Sequence, residues 1–534
     1  MIRVSNLLLP LRHSESDLIL AAAEELGVPL KVIVRVNIVR KSLDTRAHAA
    51  PRRVYTVDVV LEEGVSLSRE AARKATVTRV EEKAYRFMVS APGPDRPRPV
   101  IVGAGPCGLF GALLLARLGF RPLLLERGRP VDERTRDVRE FWRKGVLLPE
   151  SNVLFGEGGA GAFSDGKLTT QIKDKENRRD WILREMVQAG APPEICYLNK
   201  PHVGTDKLAG VVKNLRAAII EHGGEVRFQC RVSGLQVNDG RLVGIILNEE
   251  EEIPASQVLL AIGHSARDTF EMLLHSGVSL KQKAFSIGAR VEHPQMVINA
   301  AQYGKSAGMP ELGPAEYKLV HHCQNGRSVY SFCMCPGGMV IGVGHEPETV
   351  VTNGMSYHAR AGRNANSGLL VNVGPDDYGD AHPLAGIAFQ RRWEQAAYVL
   401  GGGGFKAPVQ RVGDLLADRA STALGDVEAT YLPGVVPAHL RECLPGYIID
   451  AWREAIPALA RRLRGFDLPD AVLTGVETRS SSPVRIERDD IGESISIKGV
   501  FPAGEGAGYA GGIISSAIDG MRAAEQIARR ISGS

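Results

Sequence analysis

Cysteine is scarce in this chain: seven residues scattered over 534 positions, an odd number with no paired Cys-x-x-Cys motifs. That argues against a disulfide framework and against a structural zinc site, so no metal is expected. No Cys-x4-Cys pair stands near the first glycine-rich helix, which speaks against a disulfide reductase of the glutathione reductase type. Long apolar runs are missing too, the longest falling short of the roughly 18 residues that cross a bilayer. The first residues are too short an apolar stretch for a signal peptide before Arg12 and His13 intervene. Net charge is only +4, giving no global case for nucleic acid or membrane binding. With 44% hydrophobic and 24% charged residues, the chain reads as an ordinary folded protein of two to four domains, expected in the cytoplasm and away from membranes.

What is present is concentrated in residues 99–127, PVIVGAGPCGLFGALLLARLGFRPLLLER. A short apolar strand leads into Gly103-x-Gly105-Pro106-Cys107-Gly108, a helix runs to about residue 118, and a second strand ends on Glu126 and Arg127. This is the dinucleotide-binding fingerprint in its strand, turn, helix and strand context. Gly103 permits the turn, Gly105 lets backbone N–H groups approach a pyrophosphate, and Gly108 lets helix and strand pack closely. Glu126 is placed to accept hydrogen bonds from ribose hydroxyls. The fingerprint alone does not separate NAD from FAD.

Upstream, residues 1–90 follow a β-α-β-β-α-β pattern, with strands expected at 2–9, 31–39, 54–61 and 83–89 and helices at 14–25 and 68–75. That is the ferredoxin-like split βαβ order. Through residue 99 this part holds 17 lysines and arginines against 12 acidic residues. A basic face could dock a protein partner or RNA, but solvated charge on a packed domain is the favoured reading. The proline-rich run 91–99 reads as a linker.

Downstream, 131–145 looks helical and strongly charged. Residues 152–168, rich in glycine, read as a second cofactor loop in which Gly158, Gly159, Ser164 and Lys167 contact cofactor or substrate. A helix over 205–222 capped by Thr205, a strand at 225–228 and a hairpin over 231–247 containing Val232 follow. A strand then closes on Ala261-Ile262-Gly263-His264, where Gly263 avoids a clash beneath a cofactor. The nucleotide signals vanish from 277 to 475, a mixed α+β stretch read as a substrate domain. They return at 498–513, where a strand, Gly504-Glu505, Gly511-Gly512-Ile513 and a helix start form a second half-site. Glu505 is assigned to ribityl hydroxyls, and the helix N-terminus to the flavin pyrimidine ring. NAD enzymes have no use for such a return, so FAD is the expected cofactor.

The chain resembles a bacterial and plastid family of largely uncharacterised FAD-dependent dehydrogenases or oxidoreductases. These lie within the single-Rossmann flavoproteins related to p-hydroxybenzoate hydroxylase. The resemblance is carried by FGEGGAG (155–161), AIGHSARD (261–268), SFCMCPG (331–337), ETRSSSPVR (477–485) and GEGAGYAGG (504–512), and it covers essentially the whole chain. It implies FAD and no particular substrate. Ala503 stands where relatives often have cysteine, and Gly342-Val-Gly-His345 replaces a stretch of small residues.

The expected architecture is therefore α/β: a ferredoxin-like domain (1–92) and a Rossmann-type FAD-binding domain (93–276 and 476–534) interrupted by the substrate domain (277–475). Three residues are catalytic candidates. His264 would titrate near neutrality beside the flavin, Arg267 would hold an anionic substrate or the pyrophosphate, and Cys335 would present a thiol. In a regular strand Cys333 and Cys335 share one face, about 6.6 Å apart, and two buried, inert cysteines are the plainer reading. Arg290, His293 and His345 are weaker candidates for the substrate pocket. The expected activity is hydride transfer between flavin and a small or medium organic substrate; with no second complete glycine fingerprint, a nicotinamide reductant, NAD(P)H, would bind only transiently in the substrate cleft, or reoxidation would use oxygen or a protein partner. A flavin-dependent monooxygenase, or an FAD-bearing regulatory protein acting through its N-terminal domain, are the alternatives. Oligomeric state is not legible.

Overall fold

The computed structural model describes residues 1–46, 50–81, 83–90, 93 and 96–533. Its centre is a five-stranded parallel sheet in the order Val500–Pro502, Val258–Leu260, Val100–Val102, Leu123–Leu125, Glu225–Arg227. The first four of these three-residue strands are buried on both faces, as expected of a parallel sheet covered by helices. Every strand ends at one edge, so the fingerprint turn, the end of Leu123–Leu125 and the returns after Leu260 and Pro502 gather there. This is where open α/β sheets bind ligands.

Two helices seal the sheet's first crossover. Pro106–Arg117 buries ten of its twelve residues, and the C-terminal helix Ile513–Ser532 crosses it closely. Their contact needs glycine, since a Cβ on Gly111 would stand 2.6 Å from Leu259 Cδ2 and 3.2 Å from the Gly520 carbonyl oxygen.

The N-terminal segment forms an antiparallel sheet from Ile2–Pro10, Ile33–Asp44, Arg52–Leu61 and Val77–Arg79, ordered second, third, first, fourth, with two helices. The order is the ferredoxin-like one, but the last strand is not at 83–89. There Tyr85, Phe87 and Val89 lie extended along the large core beside the C-terminal helix, and the Tyr85 hydroxyl donates to Glu525 at 2.7 Å. The alternation reflects one apolar face without a sheet partner. Several basic groups of this part are engaged inside the molecule: Arg12 and Arg53 bind Glu311, Arg40 binds Asn199, and the Lys41 backbone pairs with Tyr197 and Asn199. Residues 91, 92, 94 and 95 of the expected linker lie outside the described residues.

The helix expected over 205–222 runs Thr205–Glu221, with Gly204 and not Thr205 as its cap. The Thr205 hydroxyl instead donates to the Ala162 carbonyl at 2.7 Å, tying this helix to the glycine-rich loop. Residues 285–477 build an eight-stranded sheet around Phe285–Pro294, Ser328–Gly342, Asn364–Val373 and Val472–Glu477, with Trp452 fully buried in its core. Ser328–Gly342 is a single strand of 15 residues, and Val472–Glu477 runs through the 475/476 boundary. No helix among the described residues is long and apolar enough to cross a membrane.

Candidate functional site

One cavity of about 560 Å³ opens where the parallel sheet's strand ends meet the eight-stranded sheet. Its walls contain Gly103, Gly105, Pro106, Cys107, Glu126, Arg127, Gly159, Ser164, Lys167, Val232, Gly263 and His264. Cys335, Glu505, Gly511, Gly512 and Ile513 complete the predicted residues found there. Thus segments some 400 residues apart in sequence line one space.

The glycines explain why a flat, charged cofactor fits. Gly103 has φ +103°, and a Cβ there would come 2.4 Å from the Ala261 carbonyl oxygen, so the turn admits no side chain. Gly159 has φ +58°, and its Cβ would stand 3.1 Å from Gly105 Cα, so two backbones meet directly in the wall. Neither helix aimed at the cavity has a side-chain cap, which leaves first-turn N–H groups for an anion. Gly108, Gly158 and Gly504 are not in the wall. They allow close packing behind it: a Cβ on Gly108 would strike the Gly103 carbonyl at 1.8 Å, one on Gly158 would press on Ala162 and Val212, and one on Gly504 would meet Cys107.

Glu126 is held by three backbone donors, Ala104 at 2.8 Å, Gly128 at 2.9 Å and Gly156 at 3.0 Å. Its carboxylate is thereby fixed in the wall, with lone pairs left for hydroxyl donors. Arg127 bridges Glu150 and Asp268 and lies 4.1 Å over the Phe155 ring. Burial, only partly opposed by Lys283, pushes the Glu505 carboxyl up to about 7.

The catalytic candidates change more. Burial, reinforced by Arg479, Arg267 and Lys283, drives His264 down to about 4, so it is neutral at physiological pH and does not titrate near neutrality as expected. Its Nδ1 pairs with the Ser265 hydroxyl at 2.8 Å. Arg267 does not reach the cavity. It is 3% exposed and forks onto Glu394 at 2.9 and 3.0 Å, with Glu346 and Gln390 beside it. Arg479 forks onto the same Glu394, at 3.0 and 2.9 Å, and does line the cavity. The two guanidiniums overcome burial and hold the Glu394 carboxyl far below its usual range.

Cys335 is buried, and its thiol donates to the Cys333 carbonyl at 3.2 Å. The two do not share a regular strand face, because the ladder is bulged between Phe332 and Cys335 and Cys333 adopts φ +40°. It is Cys333 whose side chain is open to the cavity, and the protein enclosing that cavity desolvates its thiol and pushes it up to about 12, against the opposing pull of Arg290 and Lys167. Arg290 lies behind the wall, bonded to Glu477, Asn353 and the Cys333 carbonyl. His293 belongs to the core, stacked on Phe466, and His345 is buried against Arg479. Among the described residues His321, Cys323 and Glu454 bring ligand-type atoms within 4.8 Å of one another, outside this cavity. A hydrogen bond between His321 Nε2 and Glu454 and a Cys323 bond to the Ala451 carbonyl account for them.

Sequence reasoning missed Arg134. On a helix read only as strongly charged, it is fully buried and donates to the carbonyls of Asn152, Val153, Gly156 and Glu157, setting the glycine-rich loop. Also missed were Asp165, Lys200, Glu316 and Lys318, which line the end of the cavity bounded by the eight-stranded sheet.

Residues 284–480 match the family model described as FAD-dependent protein, C-terminal domain-like, and residues 1–60 match a domain of unknown function. An uncharacterized protein of Clostridium beijerinckii is 47% identical over 528 residues, covering 98% of each chain. Among solved structures, flavin-dependent brominase Bmp2 is similar at 14% identity, covering 82% of this chain and 79% of that one, with a TM-score of 0.38. A geranylgeranyl bacteriochlorophyll reductase-like protein from Thermoplasma acidophilum is similar at 13% identity, covering 81% and 78%, with a TM-score of 0.34. With its C-terminal domain matched and a relative aligned along nearly its whole length, the chain belongs to this family of FAD-dependent proteins.

Proposed function

We propose that the protein is an FAD-dependent oxidoreductase that moves a hydride between the flavin and an organic substrate. The observation that carries this reading is one continuous cavity with unlike ends: a glycine-built nucleotide cradle around Gly103, Gly105 and Glu126, and a polar chamber around Lys167, Tyr317 and Cys333. When bound, FAD supplies a ring that accepts or donates a hydride; the protein supplies binding, orientation and electrostatics. Here the fingerprint turn and the helix Pro106–Arg117 would take the pyrophosphate, Glu126 the adenosine ribose, and Glu505 the ribityl hydroxyls. The helix Ile513–Ser532 would direct its positive end at the flavin.

Neutral His264, in the wall between these ends, can accept a proton from substrate but is not an imidazolium donor at pH 7. Apolar side chains such as Leu154, Phe332 and Met334 exclude water from the same space. The sequence has no second complete fingerprint, so a nicotinamide reductant would enter at the Lys167 end and leave after transfer.

The test is anaerobic stopped-flow spectroscopy of the purified protein with NADH and NADPH, and then with candidate substrates. Bleaching of the flavin absorbance by a reductant, reversed by an oxidised substrate, is expected. A colourless protein that cannot be reconstituted with FAD overturns the reading.

A further inference from the structure

The two ends of the cavity differ in their balance of charge. Near the fingerprint, Arg127 lies between Glu150 and Asp268, and Arg231 lies beside Asp268 and Glu249. At the other end Lys167, Lys200 and Lys318 line the wall with Arg360 behind them, against two carboxylates, Asp165 and Glu316. Both carboxylates are already engaged. Arg360 forks onto the two oxygens of Asp165, with Nε at 2.9 Å from Oδ1, and also binds Glu316 Oε1 at 2.8 Å. Lys200 takes the remaining Glu316 oxygen at 3.2 Å.

Lys167 is the least satisfied of these cations, in an ion pair with Asp165 that includes no hydrogen bond. Its Nζ is buried and makes no hydrogen bond, and the Asp165 oxygen facing it is 3.4 Å away and shared with Arg360. Lys318 forms no ion pair among the described residues. The other polar groups nearby do not offset these cations. Glu477 is paired with Arg290, and burial keeps the Cys333 and Cys335 thiols protonated. A buried ammonium has three donors and needs acceptors, and leaving them unpaired is costly.

We propose that Lys167 anchors a carboxylate of the substrate, so that the molecule oxidised or reduced in this cavity is an organic acid. The inference rests on the reading of the cavity as a flavin site, since it assigns the end the cofactor leaves open. Lys318 adds long-range attraction from the rim, and Arg360 takes the hydrogen bonds of Asp165, leaving Lys167 only a shared ion pair with it. This makes Lys167 a substrate-binding residue and gives Arg360 a positioning role.

The experiment uses the full chain loaded with FAD. It is titrated with acetate, benzoate and phenylacetate, and with the neutral amides acetamide, benzamide and phenylacetamide, reading the flavin difference spectrum. At least one carboxylate should give a saturable change that its amide does not. Lys167→Met should weaken that carboxylate on the order of tenfold or more, the scale of a charge-assisted hydrogen bond, while Lys167→Arg weakens it less. FAD content should stay that of the wild type in both variants. Equal binding of acid and amide, no change with any carboxylate, or unaltered affinity in Lys167→Met overturns the proposal. Loss of FAD from Lys167→Met also overturns it, by moving the lysine to the cofactor's half. If Lys167→Met does not fold, the acid and amide comparison on the wild type and Lys167→Arg decides alone. A wild-type chain that takes up no FAD refutes the underlying reading, and is recognised before any titration begins.

Discussion

The guanidinium of Arg134 donates through Nη1 to the carbonyl oxygen of Glu157 at 2.7 Å, one of four backbone carbonyls it gathers from the glycine-rich loop. The loop has no strand or helix interior of its own, so its polar groups depend on this side chain. Gly156 makes the approach feasible, because a Cβ there would stand 2.4 Å from Arg134 Cδ. Arg134→Met should leave several buried carbonyls unpaired and cost about 3 kcal/mol or more in chemical denaturation. Because the same loop places Gly156 and Gly159 in the cavity wall, flavin-to-protein ratio after desalting should fall as well. Arg134→Lys, which keeps the charge without the fork, should recover only part of either loss. A variant with wild-type stability and flavin content would show that the loop holds itself.

Arg134 also marks the limit of what could be read in advance. The fingerprint from Gly103 to Glu126 was legible because its parts sit within 30 residues and each glycine answers a local steric demand. The return at Gly504 to Ile513 was legible for the same reason. Arg134 looks like any charged residue on a helix rich in arginine and glutamate, since nothing local tells which arginine faces inward. Arg267 was misread because its partner Glu394 is 127 positions away, and Arg479 is a further 85 beyond that glutamate. The strand expected at 83–89 failed differently: alternation reveals an apolar face but not whether a sheet or a helix covers it. In Cys333 and Cys335 the bulge broke the two-residue period on which face assignment depends.

Two groups in the cavity give the protein without bound flavin an unusual pH dependence. Glu505 has its carboxyl raised to about 7 from an ordinary 4.5, so the folded state binds the extra proton between those values. Stability is therefore lost as pH rises through about 4.5 to 7, by on the order of 3 kcal/mol. His264 acts in the opposite sense. Its lowered value of about 4 means that the unfolded chain binds the extra proton, so stability falls as pH drops from about 6.5 toward 4. Denaturation of flavin-free protein at several pH values should show Glu505→Gln stabilised relative to wild type at pH 8 and little changed near pH 4. His264→Asn should show its advantage only on the acid side. If Glu505→Gln tracks the wild type at every pH, the carboxyl is not desolvated.

The crossing of the two glycine-linked helices gives a steric prediction with an internal control. A Cβ on Gly520 would come 2.1 Å from the Cys107 carbonyl oxygen, a clash between backbones that no rotamer change relieves. Gly210, on the exposed side of helix Thr205–Glu221, has nothing within 4 Å of the same imagined atom. Replacing either glycine by alanine gains up to about 1 kcal/mol of helix propensity. At Gly210 that gain should appear undiminished. At Gly520 the overpacking cost, typically about 1–3 kcal/mol, exceeds it and forces the helices apart. Their N-terminal residues Pro106 and Ile513 both line the cavity, so separation should also lower FAD retention. Gly210→Ala should then melt at or above the wild-type temperature with full flavin, and Gly520→Ala below it with less. Equal melting temperatures would mean that the crossing has slack, and the two helix ends could not then be set by this one contact.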